Sequence, residues 1–346
     1  MATALYRKYR PSNFAEVKGQ EHIVSVLENE IKNGKVSHAY LFCGGRGTGK
    51  TSIARIFAKT LGVNDEDIYE MDAASNRGID EIRAIRDSVH TYPYSSKYKI
   101  YIVDEVHMLT KDAWNAFLKT LEEPPSHVIF IMATTEKHKV LDTVISRCEV
   151  FQFKKPSHAI LVESLLAVSK EEGKKLDKKS ASLIATLADG SFRDALSILQ
   201  KVINVSEDTQ ISYEKVEEVL GAPKESYILD IIEGVAEKDA DRAMKAVSEA
   251  SKQNSDMQIF LKMVLRSLRF VLLLRFSPQL KDIVINETGE EEYERLVKIA
   301  KTGKNINSKT IIAFLDAISR EPSSSIPELP IELAIVESCG EGDLGR

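Results

Sequence analysis

Cysteine is scarce: Cys43, Cys148 and Cys339 are the three in 346 residues, far apart in the chain. They offer neither a disulfide framework nor a CxxC zinc pair, and they suit a reducing compartment. Long apolar runs are also missing. The best, Val128 to Ala133 and Phe270 to Leu274, fall well below the roughly 18 residues of a membrane span. The basic N-terminus MATALYRKYRPSNF is followed by no apolar stretch of the secretory kind. A cytoplasmic chain with no membrane partner is therefore expected. There is no internal repeat and no long low-complexity segment. With 43% apolar and 29% charged residues, the composition excludes wholesale disorder, collagen-like repeats and coiled-coil rods. The length predicts two or three domains.

The net charge of −5 is unevenly spread. Residues 1–60 carry 10 basic against 4 acidic side chains, whereas residues 161–346 carry 25 against 32. A polyanion is better sought near the N-terminus than at the tail.

Short apolar runs at Tyr40–Cys43, Ile68–Met71, Ile100–Val103, Val128–Ala133 and Val150–Phe153 alternate with amphipathic stretches opening near Lys50, Ile79 and Lys111. This is the pattern of an α/β fold whose parallel sheet is covered by helices. After Lys155–Pro156 the β-rich runs cease and helical spacing takes over, which predicts a small all-helical domain. Gly221-Ala222-Pro223 marks a break, and further helices reach about residue 338. Met257–Phe276 reads as a helix buried on one side, with Lys262, Arg266, Arg269 and Arg275 on a solvated face. Glu321–Pro330 reads as an extended connection before a last helix.

Gly44-Gly45-Arg46-Gly47-Thr48-Gly49-Lys50-Thr51 fills GxxxxGK[ST] between a strand and a helix that opens at Ser52, the context a phosphate-binding P-loop needs. Its glycines let backbone N–H groups approach phosphates, and the helix N-terminus adds a positive dipole end. Lys50 is expected to neutralise the β and γ phosphates, and Thr51 to offer its hydroxyl to Mg²⁺. Ile100-Tyr101-Ile102-Val103-Asp104-Glu105 is a buried strand ending in two carboxylates. Asp104 is expected in the Mg²⁺ shell and Glu105 as the general base for an attacking water, so ATP is the expected nucleotide and hydrolysis the expected reaction. His107 completes an Asp-Glu-Val-His sequence and is given mainly a packing or capping role.

Further motifs then carry a resemblance. Tyr6-Arg7-Lys8-Tyr9-Arg10-Pro11, Val17-Lys18-Gly19-Gln20-Glu21-His22, Asp72-Ala73-Ala74-Ser75-Asn76-Arg77-Gly78, Leu121-Glu122-Glu123-Pro124-Pro125, Ala133-Thr134-Thr135-Glu136, Ser146-Arg147-Cys148 and Gly190-Ser191-Phe192-Arg193-Asp194-Ala195-Leu196 flank the P-loop and the acidic strand in family order. Together they resemble the bacterial DNA polymerase III gamma/tau subunits, sliding-clamp loader motors of the AAA+ superfamily. The motifs span residues 4–200; beyond them the likeness is one of helical content and length.

The resemblance implies an AAA+ P-loop domain over residues 1–156, a helical lid over 157–221 and a helical oligomerisation collar over 222–346. It implies that Thr135, with Thr134 the next candidate, stands at the sensor 1 position near the γ-phosphate. Arg193 would be the sensor 2 arginine of the lid, and Arg147 the arginine finger reaching a neighbouring subunit's ATP. Tyr6, Arg10 and Val17 would line the adenine pocket, while Ser75, Asn76 and Arg77, opening the next helix, would contact DNA phosphates. An N-cap role is the rival reading for Ser75 or Asn76. Delta and delta-prime subunits, further copies of the chain, the beta sliding clamp and primed DNA are the implied partners, at replication forks on the nucleoid. Holoenzyme membership would associate the chain with nucleotidyl transfer, although it shows no polymerase carboxylate constellation.

Two departures stand out. Leu61-Gly62-Val63-Asn64-Asp65-Glu66 replaces the four-cysteine zinc module of most bacterial members, so no zinc is expected. The chain also stops at 346, like a short gamma form. The missing module leaves a replication factor C small-subunit-like loader as an alternative. A structural delta-prime-like subunit and a DNA-translocating AAA+ motor are the other readings. The intact Lys50, Thr51, Asp104 and Glu105 count against the first, and the Ser-Arg-Cys motif with an acidic C-terminal half against the second.

Overall fold

In a computed structural model, residues 3–206 and 208–340 are described, and they fall into two compact units. The first comprises residues up to 161 together with 188–197; the second comprises 162–187 and the rest from 198.

The first unit is built on five strands, β1 (Ala39–Cys43), β2 (Ile68–Asp72), β3 (Lys99–Asp104), β4 (Val128–Thr134) and β5 (Glu149–Gln152), all parallel and ordered β2-β3-β4-β1-β5. Each predicted run is a strand, with ends shifted by a residue or so. Successive side chains of a strand point to opposite faces, and here both faces are covered. Leu41, Tyr101, Val103, Phe130 and Met132 pack with Trp114 and Phe117 in one apolar cluster. Tyr40, Phe42, Ile102 and Ile131 pack with Ile53 and Phe57 in the other. That double burial is why the central strands are apolar throughout. Strand β2 lies at the edge and is half exposed, so its sequence is mixed.

Among the described residues, four helices of ten residues or more flank the sheet, α1 (Glu21–Asn33), α2 (Lys50–Thr60), α3 (Ile79–Ser88) and α4 (Lys111–Glu122), beside two single turns at Leu5–Lys8 and Asp142–Ile145. Thr110 caps α4, its hydroxyl accepting from Ala113 N–H. Because β1 pairs with β4 and not with β2, the strand order brings the C-terminal ends of β3, β4 and β1 side by side. Such an edge, where strand order jumps, is where open α/β sheets bind ligands.

The connection from α2 to β2 is short and anchored by a buried carboxylate, with Asn64 beside it bonding to Ser95 and Ser96. Asp67, fully buried, accepts from the N–H groups of Tyr94, Ser95 and Ser96 at 2.5, 3.0 and 2.9 Å. Burial pushes its carboxyl up, but these donors outweigh it and hold the group below the ordinary aspartate range.

In the second unit the sequence predicts helices only, yet β6 (Lys175–Leu176) and β7 (Gln210–Ile211) form a two-residue parallel pair. Pairs so short carry no readable periodicity. Helices α5 (His158–Glu171) and α7 (Phe192–Val205) start within the first unit's residues and end within the second's, whereas α6 (Lys178–Leu187), α8 (Tyr213–Leu220), α9 (Glu225–Glu237), α10 (Ala240–Lys252) and α11 (Met257–Phe276) lie wholly in the second. The chain then continues through α12 (Lys281–Thr288), α13 (Glu290–Thr302), α14 (Ser308–Arg320) and α15 (Leu329–Cys339). The Gly221 break is a left-handed C-cap of α8.

Helix α11 buries Phe260, Val264, Leu268 and Val271 as expected, but its basic residues do not all form a solvated face. Arg275 donates to the carbonyls of Ala300, Gly303 and Ile306, and Arg266 to that of Glu287. Arg266 satisfies a carbonyl in the last turn of α12, and Arg275 one in the last turn of α13 and two between α13 and α14, where helical N–H partners run out. Glu321–Pro330 is not extended throughout: Glu321–Ser323 is a 3₁₀ turn, and Leu329 and Pro330 already belong to α15, Pro330 in its first turn.

Candidate functional site

The loop after β1 turns sharply. Gly47 and Gly49 have φ of 68° and 99°, left-handed values suited to glycine, and Gly49 is the N-cap of α2. The N–H groups of Lys50, Thr51 and Ser52 open that helix and lack intrahelical acceptors. Lys50 is 6% exposed, and its Nζ donates to the carbonyls of Gly44 and Gly45 at 2.8 and 2.9 Å. Burial pulls its ammonium below the ordinary lysine range, opposed by Glu105 and Asp104. Thr48 Oγ1 donates to Gly45 O at 2.9 Å and fixes the turn from within, while Arg46 is exposed.

Thr51 Oγ1 donates to Asp104 Oδ2 at 2.7 Å, and Glu105 N–H to Asp104 Oδ1 at 2.9 Å. The P-loop helix and the end of β3 thus meet through one hydroxyl and one carboxylate. These hard oxygen donors suit Mg²⁺, which keeps waters and phosphate oxygens for its remaining positions. The residues therefore fit a Mg²⁺-nucleotide. Among the described residues no group of three or more His, Cys, Asp or Glu could hold a metal ion.

Glu105 has φ 47°, a left-handed conformation costly for a residue other than glycine. Thr135, just past β4, donates from Oγ1 to Glu105 Oε2 at 3.0 Å. Thr134, the buried last residue of β4, meets His107 Nδ1 at 3.0 Å. Of the two threonines, Thr135 is the one in contact with Glu105.

Gly190–Arg193 belongs to the first unit and lies against the P-loop: Phe192 N–H donates to Gly47 O at 3.1 Å. Arg193 is exposed, its guanidinium 5.0 Å over the Tyr6 ring. Arg10 Nε donates to Ser52 Oγ at 2.9 Å; burial, then the nearby Arg55, lowers its pKa. Val17 packs against the apolar cluster that contains Phe57. Tyr6 and Arg10 therefore border the P-loop helix and the Arg193 segment, whereas Val17 is part of the packing.

Other expected residues lie elsewhere. Arg147 Nη2 pairs with Glu122 at 2.8 Å, and its Nη1 donates to Thr143 O at 2.5 Å. Ser75, Asn76 and Arg77 do not open α3, whose N-cap is Gly78 with no side-chain bond; the N-cap reading of Ser75 or Asn76 is thereby overturned. Ser75 Oγ and Asn76 Nδ2 instead turn back to Asp72, at 3.4 and 3.2 Å. The aspartate that ends β2 organises the loop before the helix can start.

Gln20 was not singled out by sequence reasoning. Its buried amide donates to Lys154 O at 2.7 Å and to Thr48 O at 3.4 Å, and accepts from Lys154 N–H. It stitches the P-loop to the segment after β5. The Val17–His22 motif contains it, but nothing local reveals a partner 134 positions away.

Comparison with known proteins agrees with the geometry. Three family models match: DNA polymerase III, delta subunit, over residues 19–77 and 63–157; the DNA polymerase III clamp loader subunit ATPase lid domain over 161–208; and DNA polymerase III subunits gamma and tau domain III over 211–335. DNA polymerase III subunit gamma of Buchnera aphidicola is 33% identical, the match covering 85% of this chain and 86% of that one. The chain belongs to the DNA polymerase III gamma/tau family. Subunit tau of Bacillus subtilis is 38% identical over 97% of this chain, which spans 63% of that relative's length. Among solved structures, the Holliday junction branch migration motor RuvB of Thermotoga maritima matches with a TM-score of 0.53 at 22% identity. That match covers 66% of this chain and 80% of the other. It shows a shared fold. No helix among the described residues is long and apolar enough to cross a membrane.

Proposed function

We propose that the chain is the ATP-hydrolysing motor subunit of a sliding-clamp loader, working in the cytoplasm at replication forks. The observation that supports it most is the convergence of Lys50, the Thr51–Asp104 pair, Glu105 with Thr135, and the Gly190–Arg193 segment at the ends of β1, β3 and β4. Phosphate charge neutralisation, a magnesium ligand pair, a general base and a lid arginine are the parts phosphoryl transfer to water requires. Family membership supplies the setting: delta and delta-prime subunits, further copies, the beta clamp and primed DNA as partners. An AAA+ domain over 1–156, a lid over 157–221 and a collar over 222–346 form its working parts.

In this reading the P-loop amides of Gly44–Lys50 and the Lys50 ammonium bind the phosphates, and Ser52 lies beside them. Thr51 and Asp104 would hold Mg²⁺, which when bound neutralises charge on the β and γ phosphate oxygens. Tyr6 and Arg10, with Val17 behind them, border the base. Glu105 takes the proton from the attacking water, and Thr135 fixes the carboxylate that does so. Arg193 leaves the Tyr6 face for the γ-phosphate and ties the lid to nucleotide state. Arg147 serves the neighbouring subunit's site, so turnover depends on assembly. Ser75, Asn76 and Arg77, exposed on the loop before α3, contact DNA backbone independently of sequence.

The test is ATP turnover by the chain assembled with delta and delta-prime partners, with and without clamp plus primed DNA, and with Glu105→Gln as control. Stimulation by clamp and primer junction, lost in the variant, supports the reading. Turnover indifferent to clamp but stimulated by long or branched duplex would assign the chain to the translocating motors.

A further inference from the structure

His107 follows the strained Glu105 in the 3₁₀ turn Val106–Met108, and its side chain is 6% exposed. Its two ring nitrogens meet groups from both neighbouring strand ends. Nδ1 lies 3.0 Å from Thr134 Oγ1 and 3.4 Å from Glu105 Oε2; Nε2 lies 3.3 Å from Glu136 Oε1. Thr134 Oγ1 also accepts from Glu136 N–H at 3.0 Å. Glu136 is itself held by Lys139 at 2.9 Å, with His138 at 3.7 Å. The ring is thus fixed at both ends and cannot swing without breaking contacts.

The consequence lies in which oxygen of Glu105 is engaged. Thr135 Oγ1 and His107 Nδ1 both approach Oε2. Among the described residues Oε1 has no hydrogen-bond partner. A carboxylate that takes a proton from water needs one oxygen anchored and the other available, and a side chain in a left-handed backbone setting needs an external brace to hold that pose.

We propose that His107 is a positioning residue for Glu105, bracing Oε2 so that Oε1 is presented to the attacking water. This rests on the assignment of Glu105 as the general base. His107 touches neither nucleotide nor water; it acts through the carboxylate.

The test uses the full chain. Steady-state ATP turnover of the chain assembled with delta and delta-prime partners, and affinity for a fluorescent ATP analogue and thermal unfolding of the chain itself, are measured for His107→Ala, His107→Asn and Glu105→Gln. A misplaced catalytic group costs on the order of 10²-fold in rate, so His107→Ala is expected to lower kcat by about that factor with nucleotide affinity unchanged. His107→Asn, whose amide nitrogen can reach the place of Nδ1, should recover most of the loss. Independently of activity, ring-nitrogen resonances of His107 in the nucleotide-free chain should move in Glu105→Gln and in Glu136→Gln. Those of His127, bound to Val89 O and Thr91 O, should stay in place. Wild-type kcat in His107→Ala beside a dead Glu105→Gln would overturn the bracing role and leave the general base standing. Full turnover in Glu105→Gln would overturn both. Equal loss of kcat, affinity and thermal stability, or no rescue by asparagine, would reduce His107 to packing.

Discussion

Replacing Gly47 by alanine tests the packing of the Gly190–Arg193 segment on the P-loop. In GxxxxGK[ST] this position is one of the four unspecified residues, so the motif alone allows alanine. The fold does not. With φ at 68°, a Cβ at residue 47 would fall on Ser191 Oγ and come within 3.3 Å of Arg193 Cβ. A left-handed conformation costs a residue with a Cβ roughly 1–2 kcal/mol. Displacing Ser191 Oγ also breaks its bond from Asp194 N–H, 3.1 Å long at the start of α7, and losing such a cap costs about 1 kcal/mol. The sum is about 2–3 kcal/mol, or a fall in melting temperature of about 4–12 °C for a unit of this size. Thermal unfolding followed by circular dichroism measures it. Ser191→Gly removes both the obstructing hydroxyl and that same cap bond, so the double variant should cost less than the sum of the two single ones, giving clear non-additivity between the sites. Gly47→Ala within about 0.5 kcal/mol of wild type, the range of a neutral surface change, would refute the packing argument, as would strict additivity.

Three further outcomes are expected. Arg147→Ala should leave ATP affinity of the chain intact while turnover of the assembled complex falls by roughly 10³ or more, the contribution of an arginine supplied in trans; equal loss of binding and turnover would refute its action on a neighbour. Because Asp67 titrates below the ordinary range when folded, it stabilises the chain above about pH 4 and that contribution is lost as pH falls further. Urea midpoints between pH 3 and 7 should show a shallower acid limb in Asp67→Asn. Glu292 behaves oppositely: burial, opposed by Arg266, raises it to about 7. The folded state then holds a proton that the unfolded state releases, so stability is lost as pH rises from the ordinary glutamate range to about 7. Glu292→Gln should therefore be more stable than wild type at pH 8 and match it in acid, as measured by urea midpoints at the two pH values.

Sequence alone determined the features that depend on local chemistry. The three central strands, β1, β3 and β4, declare themselves as apolar runs because both of their faces are covered. The P-loop, the acidic pair Asp104–Glu105 and the left-handed turn at Gly221 are legible because each needs particular residue types at fixed spacing. The absence of a zinc-binding cysteine set was equally plain. Tertiary structure decided what depends on partners distant in the chain. Ser75 and Asn76 cap well in principle, yet Asp72 captures both and leaves the start of α3 to Gly78. Arg275 and Arg266 resemble solvated helix charges until the helix ends whose carbonyls they satisfy are in place. Gln20 and His107 carry no local signal of their bridging because their partners come from the segment after β5 and from the end of β4. Local propensity acts over a few residues through the backbone. A hydrogen bond between a buried side chain and a residue many positions away exists only once the sheet has brought the two together.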